Sequence, residues 1–208
     1  MSNGIHIVKR NGSREPININ KIHKVVMHAC EGLAGVSASQ IEMNANLQFY
    51  DGMSSEEIQE IMVRSANDLI SLDAPNYQYA AARLLTYGLY KQVFGGFLAV
   101  PLLDIIKKNI ERGLYDPAIL DAYTEEEIAS LDAYIKHKRD ENFTYAGIRQ
   151  VVDKYLVQDR STGEIFETPQ FMYMMIAATL FHNYPKETRM HYVRRYYDAT
   201  SLFKVNIP

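Results

Sequence analysis

"VKRNGSREPININKIHKVV", Val8 to Val26, decides how the first half of this chain folds. Side chains alternate on the approach to Asn11-Gly12: Ile5, Ile7 and Lys9 share one face, and His6, Val8 and Arg10 the other. Residues 5–19 are therefore expected to form a β-hairpin. Asn-Gly is the pair favoured by a two-residue type I′ turn, whose central positions both need positive φ. Pro16 has no N–H to give to a ladder, so the return strand is expected at an edge or broken there. From Lys21 the period changes. Ile22, Val25, Val26 and Ala29 fall on one stripe and Gly32 stands near its end, which predicts a helix over 21–33.

The same stretch concentrates polar groups. Lys9 and Arg10 sit at the hairpin tip, Glu15 lies on the return strand, and Asn18, Asn20 and Lys21 open the helix. A helix start presents unpaired backbone N–H groups and the positive end of its dipole. Two or three cations beside it suit a polyphosphate, and Glu15 suits hydrogen bonds from ribose hydroxyls or a base amine. Ser55 and Gln59, one turn apart on a later helix, offer further polar contacts, and Lys91 another phosphate partner. These parts fit a nucleoside triphosphate without a Walker-type glycine loop. The plainer reading of the same residues is solvated lysines and capping asparagines.

Further helices are expected over 39–50, from the capping-box pattern Ser54-Ser55-Glu56-Glu57 onward, and over 76–94. In the third, Ile58, Ile61, Met62, Ser65 and Leu69 share one side. Phe94-Gly95-Gly96-Phe97, followed by Pro101, is the strongest boundary signal and divides the chain into 1–95 and 96–208. Beyond it, helices are expected near 101–112, 124–137, 142–156, 169–183 and 187–202, with a short hairpin around Ser161-Thr162-Gly163. The tail "SLFKVNIP" reads as apolar, extended and strand-like. The fold class is thus mainly α: a small hairpin on four helices, then an all-helical segment with one short hairpin.

Charge and cysteine usage narrow the function classes. The chain has 208 residues, with 22 lysines and arginines against 25 acids, a net charge of −3. That balance disfavours a general nucleic-acid binder, which must neutralise many phosphates. Cys30 alone supplies neither a disulfide framework nor a cysteine-based zinc site. No signal peptide or membrane span is read, so a cytoplasmic location and no membrane partner are expected. His23 and His28, five apart, fall on different helix faces and are not read, with Cys30, as a metal site. Tyr192, Tyr196 and Tyr197 are read as packing residues with wet hydroxyls. Asp132, Asp140 and Glu141, near His137, are read as solvated helix ends, and Met172, Met174 and Met175 as core filler.

"VKRNGSREPININKI" closely resembles the start of an ATP-cone, the N-terminal allosteric module of ribonucleotide reductase large subunits. "QFYDGMSSEEIQEIMVRSANDLIS", "DAPNYQYAAARLL", "LYDPAILDAYTEEEI", "FTYAGIRQVVDKYLVQDRSTGEIFETPQFMYM" and "YYDATSLFKVNIP" follow in order and resemble the class I, diphosphate-reducing large subunit, so the likeness covers essentially the whole chain. The resemblance implies that 1–95 binds ATP as activator or dATP as inhibitor, with Mg2+, to control reduction of ribonucleotides to deoxyribonucleotides. It carries Lys9, Arg10, Glu15, Asn18 and Lys21 over as nucleotide contacts, with Ser55 and Lys91 on later helices. Pro16, Ile17, Ile19, Asn20 and Gln59 complete the implied effector site. Ser55 replaces a common threonine, His28 a frequent indole, and Gly88 a frequent histidine. At Gln59 many members carry a histidine tied to dATP inhibition, so weak or absent inhibition by dATP is expected.

The implied partners are the remainder of the large subunit, in the same or a separate chain, and the small radical-generating subunit. The family's catalytic cysteines are absent from these residues, so no catalytic residue, metal or redox cofactor is assigned and this chain alone is expected to be inactive. A stand-alone ATP-cone regulatory or interaction protein is the alternative. The segment 97–208 discriminates, because a mere regulator has no need of reductase-specific helices.

Overall fold

The computed structural model describes residues 4–9 and 11–206. It is mostly helical, with two small antiparallel strand pairs. Two compact units emerge. The first is the chain up to Gly88, joined by Glu141–Gln150. The second is Leu89–Asp140 with the chain from Val151 onward.

In the first unit, β1 (His6–Val8) pairs antiparallel with β2 (Arg14–Pro16), placing Ile7 opposite Glu15 and His6 opposite Pro16. The turn differs from the two-residue expectation. Gly12 N–H donates to Lys9 O at 2.8 Å and Lys9 N–H to Ser13 O at 2.9 Å, and of Asn11 and Gly12 it is Gly12, with φ of 80°, that takes the left-handed conformation. Asn11 instead accepts from the Ser13 N–H and hydroxyl, so its side chain braces a three-residue loop. β2 is an edge, as Pro16 requires. The free side of β1 is taken by the segment before the third helix: Gly52 N–H donates to His6 O, Val8 N–H donates to Met53 O, and Val8 bridges Ser54 in parallel.

Four helices, with the start of a later one at 145–150, complete this unit: α1 (Ile19–Cys30), α2 (Ala38–Asn46), α3 (Ser55–Asn67) and α4 (Tyr77–Phe94), whose last turns belong to the second unit. Asn18 caps α1 by accepting the Lys21 N–H at 3.0 Å. The capping box of α3 is complete, with Ser54 and Glu57 satisfying one another's N–H groups. Val26 and Ala29 of α1, Ile41 of α2, Ile58 and Met62 of α3, and Ala80, Ala81 and Leu84 of α4 form the core. Tyr77 anchors it by donating its hydroxyl to Gln40 and accepting the Ser37 N–H.

The second unit holds α5 (Leu102–Glu111), α6 (Ala118–Ala122), α7 (Glu125–Tyr134), the greater part of a 3-10 turn at His137–Asn142, the end of α8 (Tyr145–Lys154), a hairpin of β3 (Gln158–Asp159) and β4 (Glu164–Ile165), α9 (Pro169–Phe181) and α10 (Lys186–Ser201). α9 is apolar on nearly every face and buries Phe171, Met172, Met174 and Ala177, so it forms the centre, with α10 packed along it. Thr124 and Glu127 form a second complete capping box, and Glu127 also pairs at 2.5 Å with the buried Arg189, whose guanidinium lies over the Tyr123 ring.

Three expectations are corrected here. Asp140 is not a solvated helix end. It is buried and accepts from the Tyr90 hydroxyl and the Gln170 carboxamide, each at 2.8 Å. Tyr197 has no wet hydroxyl: fully buried, it donates to Gln170 Oε1 and accepts the Lys136 N–H. The tail is not a strand across 202–206, because α10 runs through its first residue. Leu202 N–H then donates to Asp198 O, and the Lys204 and Val205 N–H groups both reach Ala199 O, closing the helix in compact turns. Residues 207–208 lie outside the described residues.

Candidate nucleotide-binding site

The hairpin organises the polar cluster at the N-terminus. Lys9, just past β1, reaches across the ladder to Glu15 of β2, with Nζ 2.9 Å from Oε2. Both side chains are partly exposed, so the pair is worth about 1 kcal/mol or less and a stronger anion displaces it cheaply. Arg10 lies outside the described residues. Pro16 and Ile17 carry the chain off β2, and Asn18 turns it into α1.

Two helix starts flank β1, and they are not equivalent. α1 begins where β2 ends, and α3 begins beside the other end of β1, through the Val8–Ser54 bridge. The strand between spans about 10 Å at ~3.3 Å per residue. The first turn of α1 has no acidic residue and carries Lys21, while Ile19 and Asn20 supply N–H groups of the kind a helix leaves unpaired. The first turn of α3 carries Glu56 and Glu57, and its cap closes on Glu57. The Ser54 N–H, helped by the Tyr50 hydroxyl, holds Glu57 below the usual carboxylate range, so it is charged at neutral pH. An anion is therefore favoured at α1 and opposed at α3. The acid-flanked end suits hydroxyl and amine groups, and Ser55 adds a hydroxyl there that donates to Glu56.

The remaining candidates have other local partners. Gln59 does not project from its helix as a free polar group. Its Nε2 donates to the backbone oxygen of Leu84 on α4 at 2.5 Å. Lys91 stands on α4 within the second unit, half-buried, its ammonium 4.7 Å above the Phe97 ring. The structure thus brings Lys9 against Glu15, continues through Asn18 to Lys21, and ties this hairpin to the start of the helix bearing Ser55 and Gln59. Sequence reading missed the partners of Gln59, because Leu84 and Gly88 belong to an element 25 or more residues on and carry no polar signature.

Nearby groups noted in the sequence are engaged locally. His23 Nδ1 lies 2.8 Å from Glu42 and His28 Nδ1 lies 3.1 Å from Glu31. His28 also stacks on Tyr87, with ring centroids 5.6 Å apart. Burial pushes the Cys30 thiol up to about 11 and the Tyr87 hydroxyl to about 12. Among the described residues no group of three His, Cys, Asp or Glu side chains is placed to hold a metal ion. None of the described helices is long and apolar enough to cross a membrane.

Comparison with known proteins places these features. Residues 5–92 match the ATP cone domain, and residues 141–208 the all-alpha domain of ribonucleotide reductase. The whole chain is 50% identical to 27% of the ribonucleoside-diphosphate reductase 1 subunit alpha of Escherichia coli (strain K12). It is 39% identical, over 98% of its length, to 27% of the ribonucleoside-diphosphate reductase subunit alpha of Enterobacteria phage T4. It is 37% identical, over 96% of its length, to 25% of the corresponding subunit of Helicobacter pylori (strain ATCC 700392 / 26695). The chain spans about a quarter of the length of these curated relatives. An ATP cone followed by the reductase all-alpha domain, with 50% identity to a large-subunit relative over the whole chain, means that the chain belongs to the ribonucleotide reductase large-subunit family and represents its N-terminal part.

Proposed function

We infer that residues 1–95 form an allosteric domain that binds ATP or dATP, and that 96–208 form the helical segment linking it to the rest of a ribonucleoside-diphosphate reductase large subunit. Lys9, Arg10, Lys21 and Lys91 take the phosphates, Glu15 the sugar or base, and Ser55 a further polar group. Asn18 holds the start of α1 in place, with Pro16, Ile17, Ile19 and Asn20 shaping its approach. Mg2+ arrives on the phosphates, as it does where few protein carboxylates are offered. Effector binding shifts the equilibrium between assemblies of the large subunit with the small radical-generating subunit, and so controls the reduction of ribonucleotides. The observation that carries this reading is the acid-free first turn of α1, with Lys21 in it, joined to a hairpin whose Lys9–Glu15 pair is weak enough to open.

Calorimetric titration with Mg-ATP, then Mg-dATP, with Mg-GTP as control, tests it. Saturable adenine-selective binding, weakened in Lys9→Ala and Lys91→Ala, is the expected result. A folded chain that binds neither adenine nucleotide would overturn the reading.

A further inference from the structure

Gln59 and Gly88 meet across α3 and α4 in a way that ordinary helix packing does not require. Gln59 Nε2 donates to the Leu84 carbonyl at 2.5 Å. Gly88 stands one turn after Leu84, on the same strip of α4, where a side chain would overhang that carbonyl. A Cβ built on Gly88 would lie 2.9 Å from Gln59 Cγ, 3.5 Å from Cδ and 3.7 Å from Nε2. Real Cβ atoms do not come so close, so any larger residue at position 88 has to move Gln59. Moving its Cγ takes the carboxamide off the Leu84 carbonyl. Gly88 does not adopt the left-handed backbone that explains many glycines in this chain, which leaves the space it vacates as its structural role.

The position of Gln59 gives this contact a functional meaning. Gln59 lies one turn beyond Ser55 on the same face of α3, the helix whose start is tied to the hairpin through Val8 and Ser54. A free carboxamide there would present a donor and an acceptor together, the combination that reads a hydroxyl. ATP and dATP differ by one hydroxyl.

We propose that Gln59 and Gly88 form a specificity device: the glycine opens a seat on the α4 backbone that holds the Gln59 carboxamide away from the effector, so that position 59 does not read the sugar. Gly88 and Gln59 are positioning residues in this scheme. It rests on the reading that the cone binds adenine nucleotides.

The test is a two-background comparison of the ATP:dATP affinity ratio by calorimetry. Gly88→Ala in the otherwise unchanged chain evicts Gln59 and is expected to shift the ratio at least fivefold toward ATP. The same Gly88→Ala change made on Gln59→Ala is expected to shift it less than twofold, because the displaced group is gone. An equal shift in both backgrounds, or no shift in a folded Gly88→Ala chain, would overturn the proposal. A second measurement needs no variant. The side-chain NH2 resonances of Gln59 are expected to exchange slowly with solvent and to stay in place at saturating ATP or dATP. Movement of those resonances on nucleotide addition would overturn the proposal even if Gly88→Ala fails to fold. Should the unchanged chain bind neither nucleotide, the underlying function is what fails, and that result is visible before any variant is compared.

Discussion

Tyr197 reaches Asp140 through a single carboxamide. Its hydroxyl donates to Gln170 Oε1 at 2.6 Å, and Gln170 Nε2 donates to Asp140 Oδ1 at 2.8 Å. Gln170, Asp140 and Tyr197 are all buried, and Tyr90 and the Lys136 N–H extend the chain of bonds at its two ends. Gln170→Leu keeps the volume but takes a donor from a buried carboxylate and an acceptor from a buried phenol. The loss is expected at about 2–4 kcal/mol, read as a lower midpoint in a urea titration. A change below ~1 kcal/mol would show that the network is not what holds α9 against its neighbours.

His137 gives the second unit an acid-sensitive point. Its ring packs against Phe94 and Phe171, and its Nδ1 has no hydrogen-bond partner among the described residues. Burial lowers it from 6.5 to about 4. Between those values the unfolded chain binds the proton and the folded chain does not. Stability is therefore full above pH ~6.5 and falls as the pH drops toward 4, by up to about 3 kcal/mol from this group. His137→Phe is expected to flatten that part of the stability–pH curve. An unchanged slope would assign the acid sensitivity elsewhere.

Cys30 is expected to resist modification in the folded protein. Burial raises its thiol to about 11, so the thiolate is about one part in a thousand at pH 8. Reaction with a chromogenic disulfide is expected to be at least tenfold slower in buffer than in denaturing urea. Equal rates would mean that α1 opens readily at its end.

Lys9→Ala separates the cost to folding from the cost to binding. The Lys9–Glu15 pair is partly exposed, so the melting transition is expected to move little, by an amount worth less than about 1 kcal/mol. A charge-assisted bond to phosphate is worth about 1.5–3 kcal/mol, which sets an expected loss of ATP affinity of about tenfold or more. Lys24→Ala, on α1 beyond its first turn, serves as control. Equal losses in the two variants would reduce the contribution of Lys9 to general charge.

What the sequence revealed and what it hid divide by distance along the chain. Both capping boxes, the edge position forced by Pro16 and the apolar stripes of α1 and α3 were legible, since each is a rule about residues within a turn or two. The Lys9–Glu15 pair was hidden: the expected two-residue turn sets Lys9 opposite Arg14, whereas the observed register sets Ile7 opposite Glu15 and lets Lys9 reach it on the diagonal. The loop was misread because Asn-Gly fits two turn types, and only the backbone separates a shared left-handed pair from a lone left-handed Gly12. Asp140 looked like a surface acid because Tyr90 and Gln170 lie 50 and 30 residues away. The direction of Gln59 depends on a glycine in another helix, and no local pattern encodes it.

The hairpin has a further consequence for how portable this module is. Its strands have three residues each, too few to persist as an isolated pair in water. The order comes from the far side: Gly52 donates to His6, Val8 to Met53, and Asp51 takes the His6 N–H while pairing with Arg14. A peptide copied from residues 4–20 would therefore lose its shape, although every hairpin residue is present. Grafting this polar cluster onto another scaffold means moving 51–54 with it. A protease nick before Asp51 would loosen the cluster without touching any of its charged groups.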